Sequence, residues 1–296
     1  MMKWVKRLAL GAVSLIVLLL AVVYGVSEAR MRKTYDIAGM SLNITTDPAQ
    51  IERGRHLATA VSKCADCHGE DLGGKVFIDA QPMGKLIASN LTRGKGGVAA
   101  RYTDQQLEAA IRHGVGPGGR GLLFMPSQEF QYLSDEDVAA IIAYLRTVPA
   151  VDRELPASKV GPLGRALMVA GQLPLLPAEM IDHRAASRTA PPAGPTREYG
   201  QYLVRVGGCV GCHGENLGGL PGHGPGEPAA TNLTPAGPIG SWTEADFVKA
   251  MRTGVRPDGS KISDFMPWKS VGMSTDDELR ALWLYLRSVP RVASKS

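Results

Sequence analysis

The chain has 296 residues but only four cysteines, and aromatic residues make up just 6% of it. The cysteines fall in two tight pairs, Cys64 with Cys67 and Cys209 with Cys212. Small disulfide-framed secreted domains pack many more cysteines into far shorter chains, so that class is excluded. The segments that must fold carry no excess of one charge. Residues 45–150 hold 11 Lys/Arg against 12 Asp/Glu, and residues 197–296 hold 11 against 10. A nucleic-acid-binding domain would show a basic patch in its folded part, so no nucleic acid partner is expected. Strong strand signals are missing throughout, which points to an all-α fold. With 44% hydrophobic and 21% charged residues the chain is not disordered. Its length suggests about two domains.

The net charge of +5 is concentrated in residues 1–44, where six Lys/Arg face only Glu28 and Asp36. These charges flank an uncharged apolar run of 19 residues, Leu8 to Val26. A signal peptide has a shorter apolar region and a small-residue cleavage site, whereas a spanning helix needs about 20 residues. No clear cleavage site follows, so the run predicts a retained transmembrane helix, with a cleaved signal as the alternative. Lys3, Lys6 and Arg7 should stay in the cytoplasm, and everything after residue 30 should be exported.

The rest of the chain is duplicated. Cys64-Ala-Asp-Cys67-His68-Gly-Glu-Asp-Leu-Gly-Gly recurs as Cys209-Val-Gly-Cys212-His213-Gly-Glu-Asn-Leu-Gly-Gly. In the same order, Asn90-Leu91-Thr92 recurs as Asn232-Leu233-Thr234, Phe124-Met125-Pro126 as Phe265-Met266-Pro267, and Tyr144-Leu145-Arg146 as Tyr285-Leu286-Arg287. Two copies indicate a duplicated domain rather than a solenoid. The divisions read from this pattern are an anchor and tether at 1–46, a first domain at 47–150, a linker at 151–196 and a second domain at 197–296. Each copy reads as three helices joined by glycine-rich loops. Thr103 with Gln106 marks the start of the second helix, and Ser134 with Asp137 that of the third. In the second copy Thr243 and Thr275, the latter with Glu278, play these parts. The apolar residues between Val160 and Leu176 are expected to pack on a domain, the alternative being contact with a membrane surface.

Cys-x-x-Cys-His is the attachment signature of c-type haem: two thiols placed to form thioethers with one porphyrin, and a histidine placed beneath the iron. The scarcity of aromatics fits two cores each completed by a large apolar group. Zinc would need further Cys or His ligands folded beside each pair, and a thioredoxin-like pair would need a βαβ context. Structural disulfides would leave His68 and His213 unexplained. Cys64, Cys67, Cys209 and Cys212 are therefore the expected covalent attachments of two haem c groups, with His68 and His213 as axial ligands. Met125 and Met266, each between Phe and Pro, are the expected second axial ligands. Met83, Met251 and Met273 read as core filler. His113 and His223 lack histidine counterparts and read as solvated or propionate-facing, and His56 and His183 as surface or linker residues.

On these motifs both copies resemble the small class I cytochrome c domain, over most of residues 50–150 and 197–291. The resemblance implies that the first and last helices cross, with Gly54 against Tyr144 and Gly200 against Tyr285. The whole chain looks like the cytochrome subunits that carry electrons away from bacterial periplasmic dehydrogenases, although the best known of those have three haem motifs. The implied role is electron transfer rather than catalysis, with no catalytic residues. A dehydrogenase or quinol-oxidising subunit would be the donor, and a terminal oxidase or soluble cytochrome the acceptor. The place would be the inner (cytoplasmic) membrane, with the haem domains facing the periplasm. The alternative, a dihaem peroxidase-like oxidoreductase, needs an iron with an open position. A haem gas sensor would need an output domain, which the sequence lacks.

Overall fold

The apolar run becomes helix α1 (Met2–Arg32). A computed structural model describes residues 2–184, 188–222 and 228–293. Within α1 an 18-residue window has a mean hydropathy of 2.6 and none of it is buried. No core covers these side chains, and the helix is long and apolar enough to cross a bilayer.

The first copy begins with α2 (Pro48–His56), where Asp47 caps the helix and Pro48 occupies its first position. A π turn at Leu57–Val61 leads to α3 (Cys64–His68). Strands β1 (Lys75–Ala80) and β2 (Gly84–Ala88) follow, then α4 (Asp104–His113), α5 (Ser127–Phe130) and α6 (Asp135–Thr147). Strand β3 (Lys159–Val160) and α7 (Pro162–Val169) lie between the copies. The second copy repeats the helices as α8 (Arg197–Val206), α9 (Cys209–His213), α10 (Glu244–Thr253), α11 (Trp268–Val271) and α12 (Asp276–Ser288). The caps expected at Thr103, Ser134, Thr243 and Thr275 are present, and Asp47 and the Asp246 partner of Thr243 add to them. Thr103 and Gln106 form a reciprocal box on α4, as do Thr243 with Asp246 on α10 and Thr275 with Glu278 on α12.

In each copy the first and last helices cross at a glycine. A Cβ at Gly54 would stand 1.9 Å from the carbonyl oxygen of Ala140 and 2.9 Å from Cβ of Tyr144; at Gly200 the distances are 2.0 Å to Ala281 and 2.9 Å to Tyr285. The helix backbones touch, so no side chain fits between them. Gly200→Ala is therefore expected to lower stability by about 3 kcal/mol, the upper part of the range for forced overpacking. Thermal melting of the purified protein reads this directly, and an unchanged midpoint would show that the crossing can relax.

Two features were not legible in the sequence. First, the fold is not purely helical: β1 and β2 form an antiparallel hairpin, and β3 joins it through Gly84–Val160 and Lys85–Lys159. The strands are short and β3 lies some 70 residues downstream of β2, so no local pattern announces the pairing. Second, the apolar stretch between the copies packs on the base of α1 as well as on the hairpin. Met168, Leu175 and Leu176 bury themselves with Leu86 of β2, and Met31 packs beside them. Arg165 bonds Ser27 Oγ at 2.9 Å and Glu28 at 3.0 Å and lies over the Tyr24 ring, while Arg30 reaches Met168 O and Glu179.

One hydrophobic cluster runs through both copies, with Leu57, Val61 and Leu133 continuous with Tyr199, Tyr202 and Val206. A polar network crosses the same interface. Arg53 of α2 bonds Asp137 of α6, Tyr199 of α8 and Glu278 of α12. His56 bonds Glu278 at 2.7 Å, and the Tyr202 hydroxyl donates to Asp137 at 2.6 Å. His56 is thus an interface residue rather than a free surface one. It and Tyr202 occupy equivalent positions in the two first helices.

Candidate haem sites

Beyond the π turn that follows α2 the chain turns sharply at Lys63, which has φ +51°, and at the equivalent point after α8 it turns at Gly208, with φ +70°. Each turn caps a single helical turn, α3 or α9, that holds the two cysteines and the histidine. Cysteines three residues apart on such a turn share one side, and the histidine follows.

Both histidines are oriented by a backbone carbonyl. His68 Nδ1 lies 2.7 Å from Ser89 O, and His213 Nδ1 lies 2.6 Å from Thr231 O. A carbonyl only accepts, so Nδ1 carries the proton and Nε2 keeps its lone pair for a metal. Burial pushes both imidazoles below their ordinary pKa, which keeps them neutral. Ser89 and Thr231 act through main-chain atoms, which is why sequence reading missed them. The signal that could have found them is the next three residues, Asn-Leu-Thr. Asn90 Nδ2 donates to Val151 O at 2.7 Å, and Asn232 Nδ2 to Val292 O at 2.7 Å. Thr92 and Thr234 accept from the amides of the same valines, at 3.0 and 3.2 Å. The repeated motif thus pins the carbonyl-bearing loop to the chain leaving the last helix.

The two methionines sit in matching turns. Ser127 N donates to Met125 O and Trp268 N to Met266 O, both at 2.7 Å, around prolines at φ −78°, ψ 49° and φ −76°, ψ 51°. These are inverse γ-turns, and the ring of Pro126 or Pro267 fixes their φ. A flexible thioether is thereby carried on a stiff piece of backbone.

In the first copy Cys64, Cys67, His68 and Met125 line one cavity of about 710 Å³, whose walls include Leu91, Val98, Leu107, Ile111 and Ile141. This is a large, mainly apolar space with a histidine and a methionine on its surface, which suits a porphyrin with two axial ligands. Ser62 Oγ also lines it, buried and without a hydrogen-bond partner among the described residues. Burial drives the Cys64 thiol up to about 12 and raises Cys67 and Cys209 as well. In the second copy Cys209, Met266 and Trp268 pack against the shared core, with the indole nitrogen of Trp268 buried and unpartnered among the described residues.

The remaining candidates lie elsewhere. His113 is buried, not solvated; its Nδ1 is 3.1 Å from Nδ1 of His183, and it is absent from the cavity lining. Burial, then the neighbouring His183, lowers its pKa to about 4. His183 is correspondingly held in this pair rather than standing as a free linker residue. His223 lies outside the described residues. Met251 is core, as expected, Met83 is half-buried in the hairpin turn, and Met273 is exposed rather than core filler.

Residues 49–145 match the family described as "Cytochrome C oxidase, cbb3-type, subunit III", and residues 198–290 match "Cytochrome c". The chain carries two cytochrome c domains in tandem. Two covalently bound haem c groups go with them. The tandem cytochrome is 31% identical, over 271 residues, to the fructose dehydrogenase cytochrome subunit of Gluconobacter japonicus, covering 82% of this chain and 53% of that protein. To the cytochrome c subunit of alcohol dehydrogenase (quinone) from Gluconobacter oxydans it is 29% identical over 273 residues, 83% of this chain and 56% of that one. A diheme cytochrome c-type protein of Cereibacter sphaeroides matches at 26% over 257 residues, 77% of this chain and 82% of its own length. The chain thus spans little more than half the length of the two dehydrogenase subunits.

Proposed function

We propose that this tandem cytochrome relays electrons at the inner membrane, from a periplasmic dehydrogenase or quinol to a terminal oxidase or soluble cytochrome. In this reading α1 is a retained anchor and both domains face the periplasm. The observation that carries it is the convergence of Cys64, Cys67, His68 and Met125 on one cavity, with Nδ1 of the histidine already committed to Ser89 O. When bound, each haem supplies a one-electron couple between ferric and ferrous iron.

The chain's own residues do the rest. The cysteines would hold the macrocycle, His68 and His213 would offer Nε2 to the iron, and Met125 and Met266 would supply a second ligand to each, which would leave no position for a substrate. Apolar walls exclude water and favour the less charged, reduced state. His/Met ligation raises the potential in the same sense.

Intact mass should exceed that of the chain by two haem groups, and acid acetone should leave the colour on the protein. Carbon monoxide should bind the reduced protein slowly or not at all. Rapid stoichiometric binding at one haem would overturn the carrier reading and revive a peroxidase-like one. N-terminal sequencing that began after residue 26 would remove the anchor.

A further inference from the structure

The two haem-attachment turns are each covered by a helix from the other domain. In α5 of the first domain, the carboxylate of Glu129 lies over the second domain's turn: a Cβ at Gly208 would stand 2.0 Å from Glu129 Oε2, and one at Gly211 2.5 Å from Oε1. In α11 of the second domain the equivalent residue, Ser270, donates to Asp66 of the first domain's turn at 2.8 Å. The helix that follows each Met-Pro turn therefore seats on the opposite Cys-x-x-Cys-His segment.

This exchange is symmetric in shape but not in chemistry, and the asymmetry centres on Lys63. Its equivalent is Gly208, and both have a left-handed backbone that suits glycine and strains any residue with a β-carbon. A lysine in that conformation needs a compensating contact. Its ammonium group donates to Val61 O at 3.0 Å and, across the interface, to Gly207 O, next to the second domain's turn. Burial raises the pKa of Glu129, and Lys63 is the cation whose field opposes that rise. Lys63 precedes Cys64 directly and Gly207 stands two residues before Cys209, so one side chain ties the two attachment segments together.

We infer that Lys63 is a positioning residue for electron exchange between the two haems, clamping the two attachment turns at a fixed separation. The inference rests on the relay reading above and adds the route: the electron crosses where the two turns meet. Electron exchange falls steeply with separation, so a small loosening at this point matters more than the loss of one hydrogen bond would suggest.

The test uses the full-length, haem-loaded protein. Lys63→Gly relieves the strained turn and removes the clamp; Lys63→Met keeps the stem without the donors and decides the matter if the glycine variant does not load haem; Lys63→Arg should restore the wild-type behaviour. Two readouts are taken. Hydrogen exchange at the amides of residues 207–211, in the other domain, should quicken roughly fivefold, as for one lost hydrogen bond. The interhaem rate after photoreduction should fall on the order of tenfold to a hundredfold, the scale of loss when a reacting pair is misplaced by about an ångström. Unchanged exchange would show that the clamp does not exist. Faster exchange with an unaltered interhaem rate would show that it does not position the haems. If the unmutated protein shows no interhaem transfer, the relay itself fails, while the amide exchange still reports on the clamp.

Discussion

Exchanging Met125 for alanine should lower the potential of the first haem by on the order of 0.1 V or more, within the roughly 0.8 V that axial ligation commands. Met266→Ala should do the same to the second haem. Each variant should leave the other potential nearly unaltered, because each methionine stands in its own turn, fixed by its own proline. Each should also gain carbon monoxide binding at one haem. Spectroelectrochemical titration separates the two waves. A variant that kept the parent spectrum and both potentials would show that its methionine is not the ligand.

Glu278→Gln should destabilise the protein by about 3 kcal/mol near neutral pH, the lower end for breaking a buried ion pair. The substitution preserves shape and removes charge. It leaves His56 without its carboxylate and Arg53 with Asp137 as its remaining carboxylate partner. Burial works to raise the pKa of Glu278, but the hydrogen bond from His56, the Thr275 amide and the nearby Arg53 outweigh it and bring the value below normal. A carboxylate lowered on folding contributes stability that is fully present above its unfolded pKa, about 4.3. That contribution is lost as pH falls through the lower folded value. The gap between parent and variant should accordingly be widest near pH 7 and shrink as the medium is acidified below about pH 4. Melting curves across that range test it. A gap independent of pH would mean that the glutamine disturbs packing rather than charge.

What the sequence made legible was local. Thr103, Ser134, Thr243 and Thr275 cap helices because a hydroxyl needs only the amide three residues on. Cys-x-x-Cys-His and Met-Pro are likewise complete within a few residues. The crossing of Gly54 with Tyr144 came from family resemblance, and the backbone contact at Gly54 gives its physical reason. What was not legible depends on partners far along the chain. Arg53 and His56 look like ordinary surface charges until Glu278 arrives from the far end. His113 looks solvated until His183 closes over it. Strand β2 becomes part of a sheet only when β1 and β3 meet it on either side.

The segment after α1 is not slack. Thr34 bridges to Arg120, Tyr35 N bonds Gly119 O at 2.8 Å, and Met40 N bonds the buried carboxylate of Glu108 at 3.0 Å. Left free, some 15 residues of flexible chain would let the first domain wander roughly 20 Å from the end of its helix. Pinned at these points and braced by Arg30 and Arg165, it behaves as a stiff stalk. On the proposed membrane reading the domain is held at one height and one tilt above the lipid. A partner in the same membrane then has only to diffuse sideways and turn about the membrane normal to meet the same face every time. A search through three dimensions and all orientations is reduced to one in a plane.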